Sequence, residues 1–269
     1  MQFEVLVSII LLIYGSIIGS FLNVVIYRTP QKEQVVKGRS HCMSCEHTLA
    51  WYDLFPIFSW VFLGGKCRYC KVKISGRYAF VELLCGISYI IAFLVLGFTL
   101  SLLFAVVLFP VLICLAFLDL DTGEIEYWCP LTIAGLGLVA LVLSLAGTLE
   151  SSWHSHLLGA VVVSVPFAIL AFFGAMGGAD VQLMAAAGLL LGWNIVPAAF
   201  TGIFLGAIVG IIIKLRSSAD SNERIPDDDA PALKGTVLRF GPCLAIGIAV
   251  GFLYGDQLIN WYFSLMSVH

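Results

Sequence analysis

Residues 116–126 read AFLDLDTGEIE and place four carboxylates within the eight positions 119–126. Long apolar runs lie on both sides of them, at residues 101–118 and 129–149. Carboxylates at the edge of a bilayer are costly to desolvate, so they usually mark a functional site. Another acid, Asp180, lies where two further apolar runs meet. We therefore expect Asp119 and Asp180 to meet at one membrane face and form an acid pair.

The composition is that of an integral membrane protein. The chain is 60% hydrophobic and 12% charged, with a mean hydropathy of +1.01. A soluble domain carries about a quarter charged residues, so a soluble globular fold is excluded. Of the eight cysteines, four lie in or beside apolar runs and are read as small buried side chains, namely Cys85, Cys114, Cys129 and Cys243.

The placement of the basic residues predicts the topology. Nine of the 14 Lys and Arg lie in residues 28–77 and five in residues 214–239. Because basic loops stay in the cytoplasm, both segments are expected there. An even number of spanning helices must then join them.

The sequence predicts an all-α polytopic protein with about eight transmembrane helices. Residues 5–26 are read as a retained first helix rather than a cleaved signal, because a basic n-region and a cleavage motif are missing. The predicted spans are 5–26, 79–98, 100–118, 129–148, 156–175, 182–193, 195–213 and 240–263. The span at 182–193 is short for a bilayer core of about 30 Å, so it is either a half-span or begins earlier. Both termini are predicted outside.

The same pattern predicts three parts of the chain and the side of each loop. The parts are the first helix (1–27), a cytoplasmic insert with four cysteines (28–78) and a membrane domain (79–269). The membrane domain carries a polar cytoplasmic loop at 214–239. Counting faces from Arg77 puts the loops at 119–128 and 175–181 inside, so Asp119 and Asp180 share the cytoplasmic side.

The insert contains two C-x2-C knuckles, Cys42 with Cys45 and Cys67 with Cys70. Two knuckles can supply a tetrahedral shell of four thiolates to one zinc ion. Disulfides remain the alternative, but they seldom persist in the cytoplasm. Zinc is expected to be structural, because a segment this small has little core of its own. Four thiols suffice, so His41 and His47 are not expected to be ligands.

Two carboxylates held close together cannot both ionise cheaply, so such a pair holds a proton between them. One carboxylate can then activate water while the other protonates a carbonyl or leaving nitrogen. The structural alternative is that these acids only terminate helices, which suits Asp121, Glu124 and Glu126 best. A further alternative is an ion or proton path.

Several motifs together resemble the bacterial type IV prepilin peptidases. The opening signature is Gly19 to Pro30, followed by the two knuckles, Pro56 to Trp60 and Val81 to Leu84. Leu118 to Thr122 resembles the family's first catalytic motif, and Gly177 to Asp180 resembles its G-x-G-D motif. The C-terminal signature is matched by Phe240-Gly241-Pro242. The resemblance covers nearly the whole chain, in order.

This resemblance implies a bifunctional enzyme of the bacterial cytoplasmic (inner) membrane. Such enzymes cleave the leader of prepilins or pseudopilins and then methylate the new N-terminal amine with S-adenosylmethionine. The resemblance implies that Asp119 and Asp180 are catalytic and that the four-cysteine insert serves the methyltransferase half. Prepilins and the lipid bilayer are the expected partners, and nucleic acid is not expected as one.

The chain departs from the family pattern at three positions near the acids. Ala179 stands where the motif has glycine, Gln182 where the family usually has lysine, and Glu126 where proline is expected. Both acids remain, so activity is expected. A catalytically weakened relative that binds prepilin-like helices or secretion partners is the alternative. A transporter fits less well, because the acids sit at one face and a zinc module has no evident place in it.

Overall fold

The computed structural model describes residues 2–36, 38–149, 151–174, 176–221 and 239–266. In these residues the secondary structure is helical apart from turns and two isolated β-bridges in the insert. The helices are α1 (Gln2–Arg28), α2 (Phe58–Phe62), α3 (Arg77–Leu96), α4 (Leu100–Thr122), α5 (Trp128–Leu145), α6 (Trp153–Phe172), α7 (Gly178–Leu191), α8 (Ile195–Ser221) and α9 (Gly241–Met266). The all-α prediction is confirmed.

Seven segments of the described chain are long and apolar enough to cross a membrane. One of them, Gly178–Arg216, contains both α7 and α8, which a short 3-10 turn at Gly192–Asn194 separates. Eight apolar helices therefore lie where eight spans were predicted. The short span predicted at 182–193 is α7, which begins at 178 rather than 182. Its 14 residues extend about 21 Å at 1.5 Å per residue.

The chain reverses direction between α7 and α8. Gly241, at the start of α9, packs against Asp119, and a Cβ on Gly206 of α8 would touch the ring of Phe240. Gly255, near the other end of α9, packs against Asn194. The turn at Gly192–Asn194 thus lies far from Asp119, and α8 returns towards it. This reversal makes α7 and α8 two helices of opposite direction.

The chain forms two compact units, Met1–Leu118 and Asp119–His269. In the first unit, α1 and α3 approach closely through glycines. A Cβ on Gly15 would lie 2.8 Å from the Cα of Gly86, and one on Gly19 would lie 2.7 Å from the Cα of Glu82. Close backbone approach of this kind is how apolar helices associate in a bilayer, where burial of apolar surface provides no driving force.

The second unit is also held by small residues. A Cβ on Gly159 of α6 would lie 2.7 Å from the carbonyl oxygen of Gly188 in α7. At the same end, His156 bridges two elements: its Nδ1 contacts the carbonyl oxygen of Leu189 at 2.9 Å, and its Nε2 contacts the hydroxyl of Ser151 at 2.9 Å. These contacts fix the end of the unit opposite to Asp119.

The polar loop predicted at 214–239 falls largely outside the described residues. Helix α8 continues to Ser221, so the first part of that segment is helical. The chain is described again from Arg239, two residues before α9.

Candidate active site

Asp119 lies in the last turn of α4, where the apolar run ends. Its carboxylate is buried, with 5% of the residue exposed. The backbone N–H of Gly241 donates a hydrogen bond of 3.0 Å to Asp119 Oδ2. The helix ends shortly after Asp119 because Gly123 adopts a positive φ of 75°, and its N–H returns to the carbonyl oxygen of Asp119.

Asp180 occupies the first turn of α7. Its Oδ2 accepts a hydrogen bond of 3.2 Å from the backbone N–H of Gly177, the residue that precedes the helix. A carboxylate at this position is stabilised by the positive end of the helix dipole. Asp180 is as buried as Asp119, with 8% of the residue exposed. It is therefore fixed by its own helix and shielded from solvent.

The two carboxylates lie close enough for their charges to interact. Arg239, just before α9, lies near enough to act on Asp119 electrostatically. The end of α4 and the starts of α7 and α9 thus converge on one pair of acids, and among the described residues Arg239 lies beside Asp119. The structure brings together the two residues that the sequence singled out, and it does so within one compact unit.

The other acids of residues 116–126 have different surroundings. Asp121 and Glu124 are exposed, and Glu126 is half-buried. The backbone N–H of Glu124 bonds to the hydroxyl of Thr122 at 3.1 Å in the turn after α4. These positions agree with the expectation that Asp121 and Glu124 belong to the helix end.

Sequence reasoning did not assign roles to Arg239 and Gly241. Phe240-Gly241-Pro242 was noted only as a signature, and nothing in it indicates that it contacts Asp119, which lies 122 residues earlier. A Cβ on Gly241 would lie 2.7 Å from Asp119 Oδ2. Gly241 therefore contributes both a hydrogen-bond donor and the space that the carboxylate occupies.

Replacing Gly241 with alanine is expected to displace the Asp119 carboxylate and to lower kcat for peptide-bond cleavage by roughly 10- to 100-fold. Misplacement of a reacting group by about 1 Å costs up to 10²-fold. Gly135→Ala is the matched control, since a Cβ there meets nothing within 4 Å. Equal rates for Gly241→Ala and Gly135→Ala would contradict a role for Gly241 at the site.

The four cysteines of the insert form a second cluster, in the first compact unit. Their sulfur atoms all lie within 4.8 Å of one another, and the Sγ atoms of Cys42 and Cys70 are 3.8 Å apart. Tetrahedral zinc with Zn–S bonds of ~2.3 Å places its sulfurs about 3.8 Å from each other. All four are free thiols rather than disulfides. The residues therefore fit a zinc ion.

The two knuckles have the same backbone. In each, the residue after the second cysteine, Glu46 or Lys71, has a positive φ near 60° and returns its N–H to the carbonyl of the first cysteine. Backbone N–H groups of Ser44 and Cys45 lower the pKa of the Cys42 thiol to about 6. A thiolate is thus available at neutral pH, which is the form that binds a metal. His47 lies against the ring of Tyr69, with the two rings tilted, and is not part of the cluster.

Asp53 links the segment between the knuckles to the second knuckle. Its side chain, 3% exposed, accepts hydrogen bonds from Arg68 Nε at 2.7 Å and from the Tyr69 hydroxyl at 3.1 Å. Burial acts to raise the pKa of Asp53, but the hydrogen bonds from Arg68, the Ala50 amide and Tyr69 hold it below its usual value. Asp53 is thereby a charged anchor for the residues between Cys67 and Cys70.

Asp53→Ala is expected to weaken zinc binding by about tenfold, because partners that orient metal ligands are worth 10–100-fold in affinity. Competition of the full-length protein against a coloured zinc chelator measures this change. Glu33→Ala, at an exposed acid of the insert outside both knuckles, serves as the control for loss of charge. Unchanged competition by Asp53→Ala would show that Asp53 does not contribute to zinc binding.

Comparison with known proteins assigns the chain to a protein family. Residues 13–96 match the Bacterial Peptidase A24 N-terminal domain, and residues 106–213 match the Type IV leader peptidase family. A "Prepilin leader peptidase/N-methyltransferase" of Myxococcus xanthus is 35% identical over 252 residues, covering 87% of this chain and 72% of the relative. A protein of the same name from Bacillus subtilis is 31% identical and covers 95% of this chain and 98% of the relative. The chain belongs to the Type IV leader peptidase family.

A relative from Escherichia coli, a "Type 4 prepilin-like proteins leader peptide-processing enzyme", is 30% identical over 91% of this chain and 93% of the relative. No solved structure matches the chain. The resemblance read from the motifs is thus confirmed at the level of the family, over nearly the full chain.

Two of the three departures from the family pattern lie in the first turns of α7. Ala179 is half-buried beside Asp180, and Gln182 is exposed one half-turn further along α7. Among the described residues, Arg239 acts electrostatically on Asp119, and it lies just before α9 rather than in α7. A positive charge therefore remains at the site although the lysine expected at position 182 is missing.

Proposed function

We propose that this family member is a membrane-embedded aspartyl protease that removes the leader of type IV prepilins or pseudopilins and then methylates the exposed amine. The chain is a multi-pass membrane protein, and its relatives carry both activities in their names. The observation that supports the protease most directly is the buried pair, Asp119 with Asp180, placed at two helix ends.

The proposed cleavage uses one proton shared by the pair. The ionised carboxylate takes a proton from a water molecule, which attacks the carbonyl carbon of the scissile peptide bond. The protonated carboxylate donates to the carbonyl oxygen, which gives a tetrahedral diol. The proton taken from water then passes to the leaving nitrogen as the C–N bond breaks, and a diol hydroxyl returns its proton to the other carboxylate. The N–H groups of Gly241 and Gly177 hold the two carboxylates in place during these transfers.

The pair and the insert are proposed to face the cytoplasm. This placement rests on the distribution of the basic residues, which fill residues 28–77 and 214–239 and are missing between them. A prepilin whose leader is cytoplasmic could then present its cleavage site at the level where the helices end.

Zinc would be held by Cys42, Cys45, Cys67 and Cys70 and would supply folding free energy to the insert. S-adenosylmethionine would supply the methyl group for the new N-terminal amine, as the family resemblance implies. We propose that the insert, residues 28–78, serves this second step and that residues 79–269 carry the protease.

Incubating the purified full-length protein with a prepilin and S-adenosylmethionine tests the proposal by mass spectrometry of the product. The expected product has lost its leader and gained one methyl group at its N-terminus. An intact prepilin would refute the protease. A shortened but unmethylated product would refute only the methyltransferase.

A further inference from the structure

The insert exposes a row of three aromatic rings. Phe55 and Phe58 are 6.0 Å apart between ring centroids, and Phe58 and Phe62 are 6.4 Å apart. Phe58 and Phe62 lie at positions i and i+4 of α2 and therefore share one face. All three rings are exposed, and Phe62 reaches 84%. We call Phe55, Phe58 and Phe62 the aromatic row.

The opposite face of α2 is held by the insert itself. Trp60 packs against Gly65, where a Cβ would lie 3.0 Å from its ring, and its indole N–H donates to the carbonyl oxygen of Ile74 at 3.2 Å. Trp60 thus fixes α2 onto the second knuckle. Because that side of the helix is occupied, the aromatic row is presented outward.

A buried carboxylate fixes the start of α2 against α3. Glu82 of α3 accepts a hydrogen bond of 2.7 Å from the backbone N–H of Ile57, the residue that immediately precedes α2. Glu82 lies five residues into the span, about 8 Å along its axis. The start of α2 is therefore at the level of the first turns of α3, where a bilayer meets water.

The backbone at this junction is strained. Ile57 has a φ of +63°, a conformation that is a genuine outlier for a β-branched residue. Such conformations persist only where surrounding contacts impose them. The Glu82 carboxylate is the contact that holds the Ile57 N–H, so the position of α2 against the span is fixed rather than incidental.

Other aromatic rings mark the same level of the first unit. Phe80, in the first turn of α3, contacts Phe117 near the end of α4 with 6.3 Å between centroids. The guanidinium of Arg77 lies 4.9 Å above the ring of Phe117. Aromatic and basic side chains concentrate at the interfacial zone of a bilayer. The aromatic row continues this belt outward from the spans.

We propose that the aromatic row is a lipid-binding surface that inserts into the headgroup–acyl boundary and holds the insert against the membrane. Residues 28–78 carry nine basic and three acidic side chains, so their charge favours a surface of anionic headgroups. Apolar phenyl rings at this depth gain from burial in the apolar boundary while the backbone stays hydrated. The proposal concerns the surface of the insert and holds independently of the catalytic chemistry.

Photo-cross-linking of the full-length protein identifies what covers the row. Benzoylphenylalanine would replace Phe62, or Phe58 as a second position, in protein reconstituted in vesicles of zwitterionic and anionic phospholipid. Val72 supplies the matched control, because it is an exposed apolar side chain of the second knuckle outside the row. Illuminated samples are analysed by mass spectrometry, with and without a prepilin peptide.

The expected result is a mass increase of one phospholipid at positions 58 and 62 and none at position 72, unchanged by the peptide. Attachment to the prepilin peptide or to a second copy of the chain would overturn the lipid assignment. Equal lipid attachment at positions 62 and 72 would show that the row has no special role. A complete lack of lipid attachment at 58 and 62 would also overturn the proposal.

Discussion

Asp119→Asn and Asp180→Asn each lower the rate of leader cleavage by about 10³-fold or more. General acid–base groups contribute 10²–10⁴-fold, and each residue is one half of a single proton-sharing pair. Asparagine keeps the shape of the side chain and can still accept the N–H of Gly241 or Gly177. The loss would therefore report on ionisation rather than on packing.

Asp121→Asn is the control for the first of these variants, since Asp121 lies two residues away and its side chain is exposed. Its cleavage rate is expected to match that of the wild type. The readout is the shift of a prepilin on a gel, with membranes that contain equal amounts of each variant. Loss of cleavage in Asp121→Asn, with cleavage retained in Asp119→Asn, would show that Asp121 and not Asp119 is the catalytic acid.

Cys67→Ser removes zinc from the insert and lowers the affinity for zinc by more than about 100-fold. Even the outer partners of metal ligands are worth 10–100-fold, and Cys67 is the most buried of the four thiols. Because metal binding supplies folding free energy to small modules of this kind, the insert is expected to become sensitive to proteolysis. Methyl transfer should be lost, while leader cleavage should fall less.

Metal analysis of purified, reduced protein measures the zinc content directly. Cys114→Ala is the control, because Cys114 is a buried cysteine of α4 that lies outside the cluster. It should retain the full zinc content of the wild type. A metal-free wild type, or zinc retained in Cys67→Ser, would contradict the four-cysteine site.

Hydropathy and charge predicted the helices well because a bilayer imposes a fixed length on each apolar run. The reversal near Gly192–Asn194 was read from a break in the apolar pattern, and the structure places a turn there. The two C-x2-C knuckles were equally predictable, because the spacing of their cysteines is typical of a four-thiolate metal site. In each case the information lies within one short stretch of sequence.

Contacts between distant residues were not predictable in the same way. Gly241 and Arg239 reach Asp119 from across a long polar segment, and nothing local in either stretch indicates this. The bond from Ile57 to Glu82 was missed because Glu82 was read only as part of a span signature. A buried carboxylate requires a hydrogen-bond donor, but the sequence does not indicate that the donor is a backbone N–H in the insert.

The dependence of the cleavage rate on pH is the measurement that tests the acid pair most directly. The active form of the pair carries one proton. The value of kcat/KM therefore falls at low pH, where both carboxylates are protonated, and at high pH, where both are ionised. We predict a bell-shaped profile for the wild type and for Asp121→Asn. A profile that rises to a plateau through a single titration would contradict a catalytic pair.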